Sequence, residues 1–224
     1  MTNQSILDEA RNKLDDKGQP QLWSDDELIQ YRNNAVNRLC KDALLVSDST
    51  TPAICTIAVL ANQAPYTKDE RIIRVREARI TARATPLVRK TMDWISEHWP
   101  NWRSVPTGIP IIFCEDIDEG KITLIPAPKD NDTLSLSVYR YPLLQMANTK
   151  ESREASPEFN FQFHQYIHEG ILAQAYGKQD AECFDRTLME KYQKVFDRNV
   201  DRAKLEIYKT RYSSQTVAVH GGYF

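Results

Sequence analysis

Residues 24–52, SDDELIQYRNNAVNRLCKDALLVSDSTTP, contain one helix and the point where helical spacing gives way to something else. Ser24 stands three residues before Glu27, so its hydroxyl can cap the first turn while the Glu27 carboxylate reaches back to the Ser24 amide. Leu28, Tyr31, Ala35, Leu39, Ala43 and Val46 then recur at helical spacing, which predicts one buried face. The run Ser47-Asp48-Ser49-Thr50-Thr51-Pro52 breaks that period. Beyond it residues 54–60 and 72–80 are rich in β-branched and aromatic side chains, with Pro65 between them, and predict strands.

Working outward from there, Thr85-Pro86 predicts a helix opening that runs through Leu87, Val88, Met92, Trp94 and Ile95 to a stop at Trp99-Pro100. The apolar runs at residues 108–114 and 122–126 flank Asp118-Glu119-Gly120-Lys121 and read as a hairpin. Leu134, Leu136 and Val138 alternate with Ser135, Ser137 and Tyr139, the period of a half-buried strand. About five strands are expected between residues 52 and 142. A polar connector follows, and Ser156-Pro157 has the form of a helix start. Phe159, Phe163, Ile167, Ile171 and Ala175 recur every four residues, and Gly177-Lys178-Gln179-Asp180 interrupts them. A second helix carries Phe184, Leu188, Tyr192 and Val195, its stripe shifting to Phe196, Val200, Ala203 and Ile207.

The expected architecture is α+β. A helical body (residues 23–50 and 151–212) consists of an N-terminal helix and a C-terminal long helical hairpin. A small antiparallel β domain (51–150) is inserted into it, residues 1–22 form a polar leader, and residues 213–224 form an extended C-terminal arm. In that arm Val217, Val219, His220, Tyr223 and Phe224 are the expected contacts to another subunit or partner, since its apolar side chains are costly to leave in water.

Composition narrows the function classes. The 224 residues are 41% hydrophobic and 27% charged, and the formal net charge of -2 provides no field that would draw the whole protein to a polyanion. No basic flank with an apolar run opens the chain, and no stretch approaches the ~20 apolar residues of a membrane span, so no membrane association is expected. Cys40, Cys55, Cys114 and Cys183 are far apart, form no CxxC pair and are expected as buried free thiols.

The candidate chemistry is thin. His164 and His168 are four apart with Glu169 following, but the order HxxxHE lacks the zinc-protease spacing, and polar surface or interface histidines are the expectation. Asp116, Asp118 and Gly120 resemble a calcium loop in part, although the glycine comes one position early and Ala127 stands where a closing carboxylate belongs. No phosphate-cradling or nucleophile-elbow motif is present. Arg71, Arg74, Arg76, Arg79, Arg83, Arg89 and Lys90 are interleaved with Asp69, Glu70 and Glu77, which favours a solvated edge or subunit contact over nucleic-acid binding. Neither catalysis nor any cofactor or metal is expected.

The order of several segments resembles the head-to-tail adaptor, or connector, family of tailed bacteriophages. The segments are Leu22-Trp23-Ser24-Asp25-Asp26-Glu27-Leu28; Ile125-Pro126-Ala127-Pro128 followed by Leu134-Ser135-Leu136-Ser137-Val138-Tyr139-Arg140; and His168-Glu169-Gly170-Ile171-Leu172 with Ala175-Tyr176 and Asp180. The resemblance covers roughly residues 20–212 and lies in order and spacing, with no single specific motif. It implies a structural virion protein made in the host cytoplasm and placed at the head-tail interface. Its subunits would form a twelve-fold homo-oligomeric ring that docks on the portal protein and offers a platform to the tail tube or tail nozzle protein, and DNA would pass without sequence-specific binding. In such a ring Asp180, Glu182, Asp185 and Glu190 are candidates to line the channel. Two other readings stay open: a head-closure or tail-terminator ring, and a metal-dependent hydrolase using His164, His168 and Glu169.

Overall fold

The reciprocal cap at Ser24 is formed: the Glu27 amide donates to Ser24 Oγ at 3.2 Å and the Ser24 amide to Glu27 Oε2 at 2.8 Å. It opens a nineteen-residue helix, Asp25–Ala43. The structure is a computed structural model describing residues 1–16, 18, 20–180 and 182–212. The fold is α+β, and the chain divides into a β unit, Val46–Tyr141, and a helical unit made of Met1–Leu45 and the chain from Pro142 onward.

In the helical unit α1 is Asn3–Leu14, α2 Asp25–Ala43, α5 Lys150–Glu154, α6 Ile167–Tyr176 and α7 Arg186–Tyr212; α3 and α4 fall in the β unit. Residues 1–22 are therefore not a polar leader. Ile6, Leu7, Ala10 and Leu14 form a buried stripe in α1, capped by Thr2, whose hydroxyl accepts from the Ser5 amide. Four apolar positions among polar neighbours suffice because Arg11 ties the segment down, donating to Asp16 at 2.7 Å, Asp25 at 2.5 Å and the Trp23 carbonyl at 3.0 Å. Arg153 of α5 reaches the same Asp25 at 2.6 Å.

Helix α6 is the core of this unit, with Ile167, Ile171, Leu172 and Ala175 all fully buried and α1, α2 and α7 packed around it. A Cβ at Gly170 would lie 2.6 Å from the Ala35 methyl and 3.0 Å from the Phe196 ring, so the close approach of α6 to α2 and α7 requires glycine there. No helix begins at Ser156-Pro157. Residues 157–160 are non-helical, Phe161–Tyr166 is a 3-10 segment capped by Asn160, and α6 starts only at Ile167, so the C-terminal hairpin pairs a short helix with a twenty-seven-residue one. The four-residue stripe is nonetheless buried throughout, from Phe159 to Ala175.

The β unit holds two sheets. In the first, β8 (Asp132–Arg140) has β4 (Ile72–Ile80) on one side and β1 (Ser47–Asp48) and β2 (Thr56–Val59) as its other partners, all antiparallel. Pro52–Cys55 forms a single helical turn, α3, so the strand expected over residues 54–60 is shortened to β2. Leu134, Leu136 and Val138 of β8 are buried, as their alternation predicts. In the second sheet the order is β3 (Pro65–Thr67), β7 (Lys121–Ile125), β6 (Ile112–Cys114) and β5 (Val88–Arg89). The expected hairpin is the β6–β7 pair, but β5 and β6 run parallel, so the unit is not wholly antiparallel. The crossover between them carries α4 (Met92–His98), whose cap is Thr91 and not Thr85. Leu87 and Val88 are extended, the Leu87 amide donating to the Ala78 carbonyl at 2.8 Å.

The unit boundaries fall at 45/46 and 141/142, against the expected 50/51 and 150/151. Ser47 and Asp48 already pair with Tyr139 and Val138, which brings the entry point forward. The connector after Tyr141 is tied into the helical unit: Met146 exchanges bonds with Asn33, and Asn148 donates to Asp26.

Candidate functional site

Helix α7 is two-sided. Phe196, Val200 and Ala203 are buried, with the Arg38 guanidinium 5.3 Å above the Phe196 ring and Tyr192 stacked on Tyr176 at 5.7 Å. On the opposite side Lys191, Lys194, Arg198, Arg202, Leu205 and Tyr208 are all exposed, spaced by three or four residues and so aligned in one stripe about five turns long. Leu205 and Tyr208 are each 60% exposed. Two of the neighbouring acids are engaged, Arg186 binding Glu190 at 2.8 Å and Arg38 binding Asp197 at 2.6 Å, while Asp201 is exposed beside Arg202. The Arg186 hydrogen bond lowers the Glu190 carboxyl from its ordinary value. Among the described residues Lys191, Lys194, Arg198 and Arg202 form no ion pair, which leaves the stripe basic at one end and apolar at the other.

The four acidic channel candidates do not share one element. Asp180 closes the turn after α6, where its Oδ1 accepts from the Glu182 amide at 3.2 Å and its carbonyl from the Phe184 amide at 2.9 Å. Asp185 caps α7 through the Leu188 amide at 2.9 Å, Glu182 is exposed in the turn, and Glu190 is paired as above. Val217, Val219, His220, Tyr223 and Phe224 lie outside the described residues.

His164 and His168 are both buried and do not converge. His164 sits in the 3-10 segment, where Nε2 donates to the Phe159 carbonyl at 2.9 Å. His168 sits in α6, where Nδ1 donates to the Gln165 carbonyl at 3.1 Å and Nε2 lies 3.2 Å from Glu9 of α1. Burial pushes both imidazoles below the ordinary histidine range; for His168 the Glu9 carboxylate opposes that in part. The expectation of surface or interface histidines is thus corrected, because the i+4 stripe buries them with its apolar members. Glu169 lies beside Lys13 at 3.8 Å.

In the β6–β7 turn Asp116 accepts from the Met92 amide at 3.0 Å and from the Cys114 thiol at 2.6 Å, while Asp118 is paired loosely with Lys121 at 3.8 Å. Burial and the adjacent Asp116 push the Cys114 thiol up to about 11. Gly120 supplies the positive φ of the turn, 70°. No group of three or more His, Cys, Asp or Glu side chains among the described residues is placed to hold a metal ion. In the arginine-rich stretch Arg71 pairs with Asp69, Arg79 with Glu77 and Arg89 with Glu115, and Arg74 and Arg76 are exposed on β4. All four cysteines are buried and form no disulfide among the described residues, and no helix among the described residues is long and apolar enough to cross a membrane.

No protein-family model matches the chain, and no curated protein sequence matches it significantly. The α7 stripe is what the sequence reading passed over. Its signal was available, since Lys191, Lys194, Arg198, Arg202, Leu205 and Tyr208 follow one another at spacings of three or four residues.

Proposed function

We propose that the chain is a non-catalytic structural subunit of a ring at the head-tail interface of a tailed phage, an adaptor that sits on the portal protein and receives the tail. The observation that carries this reading is the outer face of α7. A helix of this length, anchored on one side by Phe196, Val200 and Ala203, presents four cations without ion-pair partners among the described residues and then Leu205 and Tyr208 to solvent, ahead of a terminal segment that carries Val217, Val219, Tyr223 and Phe224. Exposed aromatic and aliphatic side chains next to a charged row are the composition of a protein–protein contact with a polar rim. A heterologous contact of this face with a different face of the next subunit closes into a ring when the rotation permits.

The test is mass photometry and negative-stain microscopy of the full chain, alone and mixed with portal rings from the same source. Rings, or monomers that assemble on the portal, are the expected result, and Leu205→Glu with Tyr208→Glu should prevent them. A monomer indifferent to the portal would end the adaptor reading. Rings that bind tail components but not the portal would move the assignment to a closure or terminator ring. No geometry described above favours the hydrolase reading, since the two imidazoles are committed to different partners.

A further inference from the structure

Arg32 lies on the buried face of α2, one turn after Leu28 and one before Val36, and is only 3% exposed. Its Nη2 donates to Asn3 Oδ1 at 2.6 Å and its Nη1 to Asn33 Oδ1 at 3.0 Å. The buried Nε finds no acceptor, and no carboxylate pairs with the guanidinium among the described residues. Burial pushes the group down to about 10. A guanidinium out of water is ordinarily matched by a carboxylate, whose two oxygens fit its planar fork. Two amide oxygens leave both the charge and part of the donor set unanswered.

Arg32 and Asn3 form part of the wall of a cavity of about 590 Å³ in the helical unit, within the range of small-ligand sites. Pro142, Leu144, Met146 and Pro157 supply an apolar wall, and Leu144, at 85% exposed, is the most solvent-exposed large hydrophobic residue described. Two carboxylates also line the cavity: Glu158, whose Oε2 accepts from the Leu143 amide at 2.8 Å, and the exposed Glu151. Neither is paired with Arg32. A ligand that answers both features has an apolar portion for the Leu144 side and an anionic group for Arg32.

We propose that this cavity binds a carboxylate carried on a short apolar body, with Arg32 as the charged anchor and Leu144 as the apolar wall. The same chemistry is offered by a free medium-chain carboxylic acid and by an aspartate or glutamate beside an aliphatic residue in a segment of another polypeptide. The proposal stands independently of the ring role.

The probes are octanoate, octanol and the blocked dipeptide N-acetyl-leucyl-aspartate amide, titrated into the full chain while the arginine Nε–H resonances are followed by NMR. Octanoate or the dipeptide should shift the Arg32 Nε–H signal and bind at least about tenfold more tightly than octanol, the scale of a charge-assisted hydrogen bond. Arg32→Met should reduce that binding by about tenfold or more. Leu144→Asp, an exposed position that leaves Arg32 and both asparagines in place, should weaken it similarly. A tighter octanoate points to a free acid and a tighter dipeptide to a partner segment; either ranking supports the site. Equal binding of octanol and octanoate, binding unaffected by either substitution, or no shift with any probe would overturn it.

Discussion

Each unit buries one arginine, and the two are treated differently. In the β unit Arg140 donates through Nε to Asp48 at 2.6 Å, and both side chains are 5% exposed or less. Burial alone would raise the Asp48 carboxyl, but the Thr51 hydroxyl, the Thr50 amide, Arg140 and the Thr51 amide together hold it well below the carboxylate range. The cluster joins β1, the turn that follows and the end of β8. In the helical unit Arg32 is equally buried and meets only amide oxygens. A buried charge balanced within the fold serves the fold. One left unbalanced on the wall of a cavity points to something outside it.

The largest effect that would break this contrast belongs to Asp48. Asp48→Ala should destabilise the protein by about 3–5 kcal/mol in denaturant unfolding, because it removes the carboxylate of a buried pair along with the cap on Thr50 and Thr51; a loss below about 1 kcal/mol would make the two arginines alike. Next is Gly170→Ala, which shows whether the helical unit tolerates change in general or only at Arg32. The added methyl meets Ala35 and Phe196 at distances real side chains do not adopt, and a loss of about 1–3 kcal/mol is expected despite the better helix propensity of alanine.

Acid should then separate the units. His164 and His168 have folded-state values below the unfolded one, so the unfolded chain takes up more protons as pH falls, and their contribution is full above about 6.5 and lost below it. Asp48 is likewise lowered from 3.8, so its contribution persists until pH approaches that value and is lost beneath it. Amide cross-peaks of α6 should weaken before those of β8 as pH is lowered from about 7 to about 4; simultaneous loss would contradict this order. The smallest effect is Arg32→Met, expected to change stability by no more than about 1 kcal/mol, because the loss of two hydrogen bonds is offset by relief of an unbalanced buried charge. A thermal scan of the variant checks it.

Much of the fold was legible because its determinants are local. The Ser24 cap, the alternation in β8 and the four-residue stripe from Phe159 to Ala175 each state their burial within a dozen residues. What was missed depends on distant chain. The segment before Trp23 looks polar until Asp25 and Arg153 meet Arg11 and Asp25 in turn, and Ser156-Pro157 has the form of a helix start in a place where the chain stays non-helical. Arg32 is the most instructive case. The stripe read from α2 included Tyr31, which is only half-buried, whereas the member between Leu28 and Val36 is the arginine. A cation on an apolar stripe was visible in the sequence, but its lack of a carboxylate could be known only once Asn3 of α1 was placed beside it.

The central position of α6 also sets an order of events during synthesis. Helices α1 and α2 leave the ribosome well before α6, since the helix that covers their apolar faces begins at Ile167, after the whole β unit has been made. At about 5–20 residues per second that interval is on the order of ten seconds. For that time Leu28, Val36 and Leu39 have no partner from α6, while residues 46–141 already contain both of their sheets. Until α6 emerges, the nascent chain carries an amphipathic pair of helices whose apolar faces lack their α6 partner and stay open to chaperones and to other nascent copies.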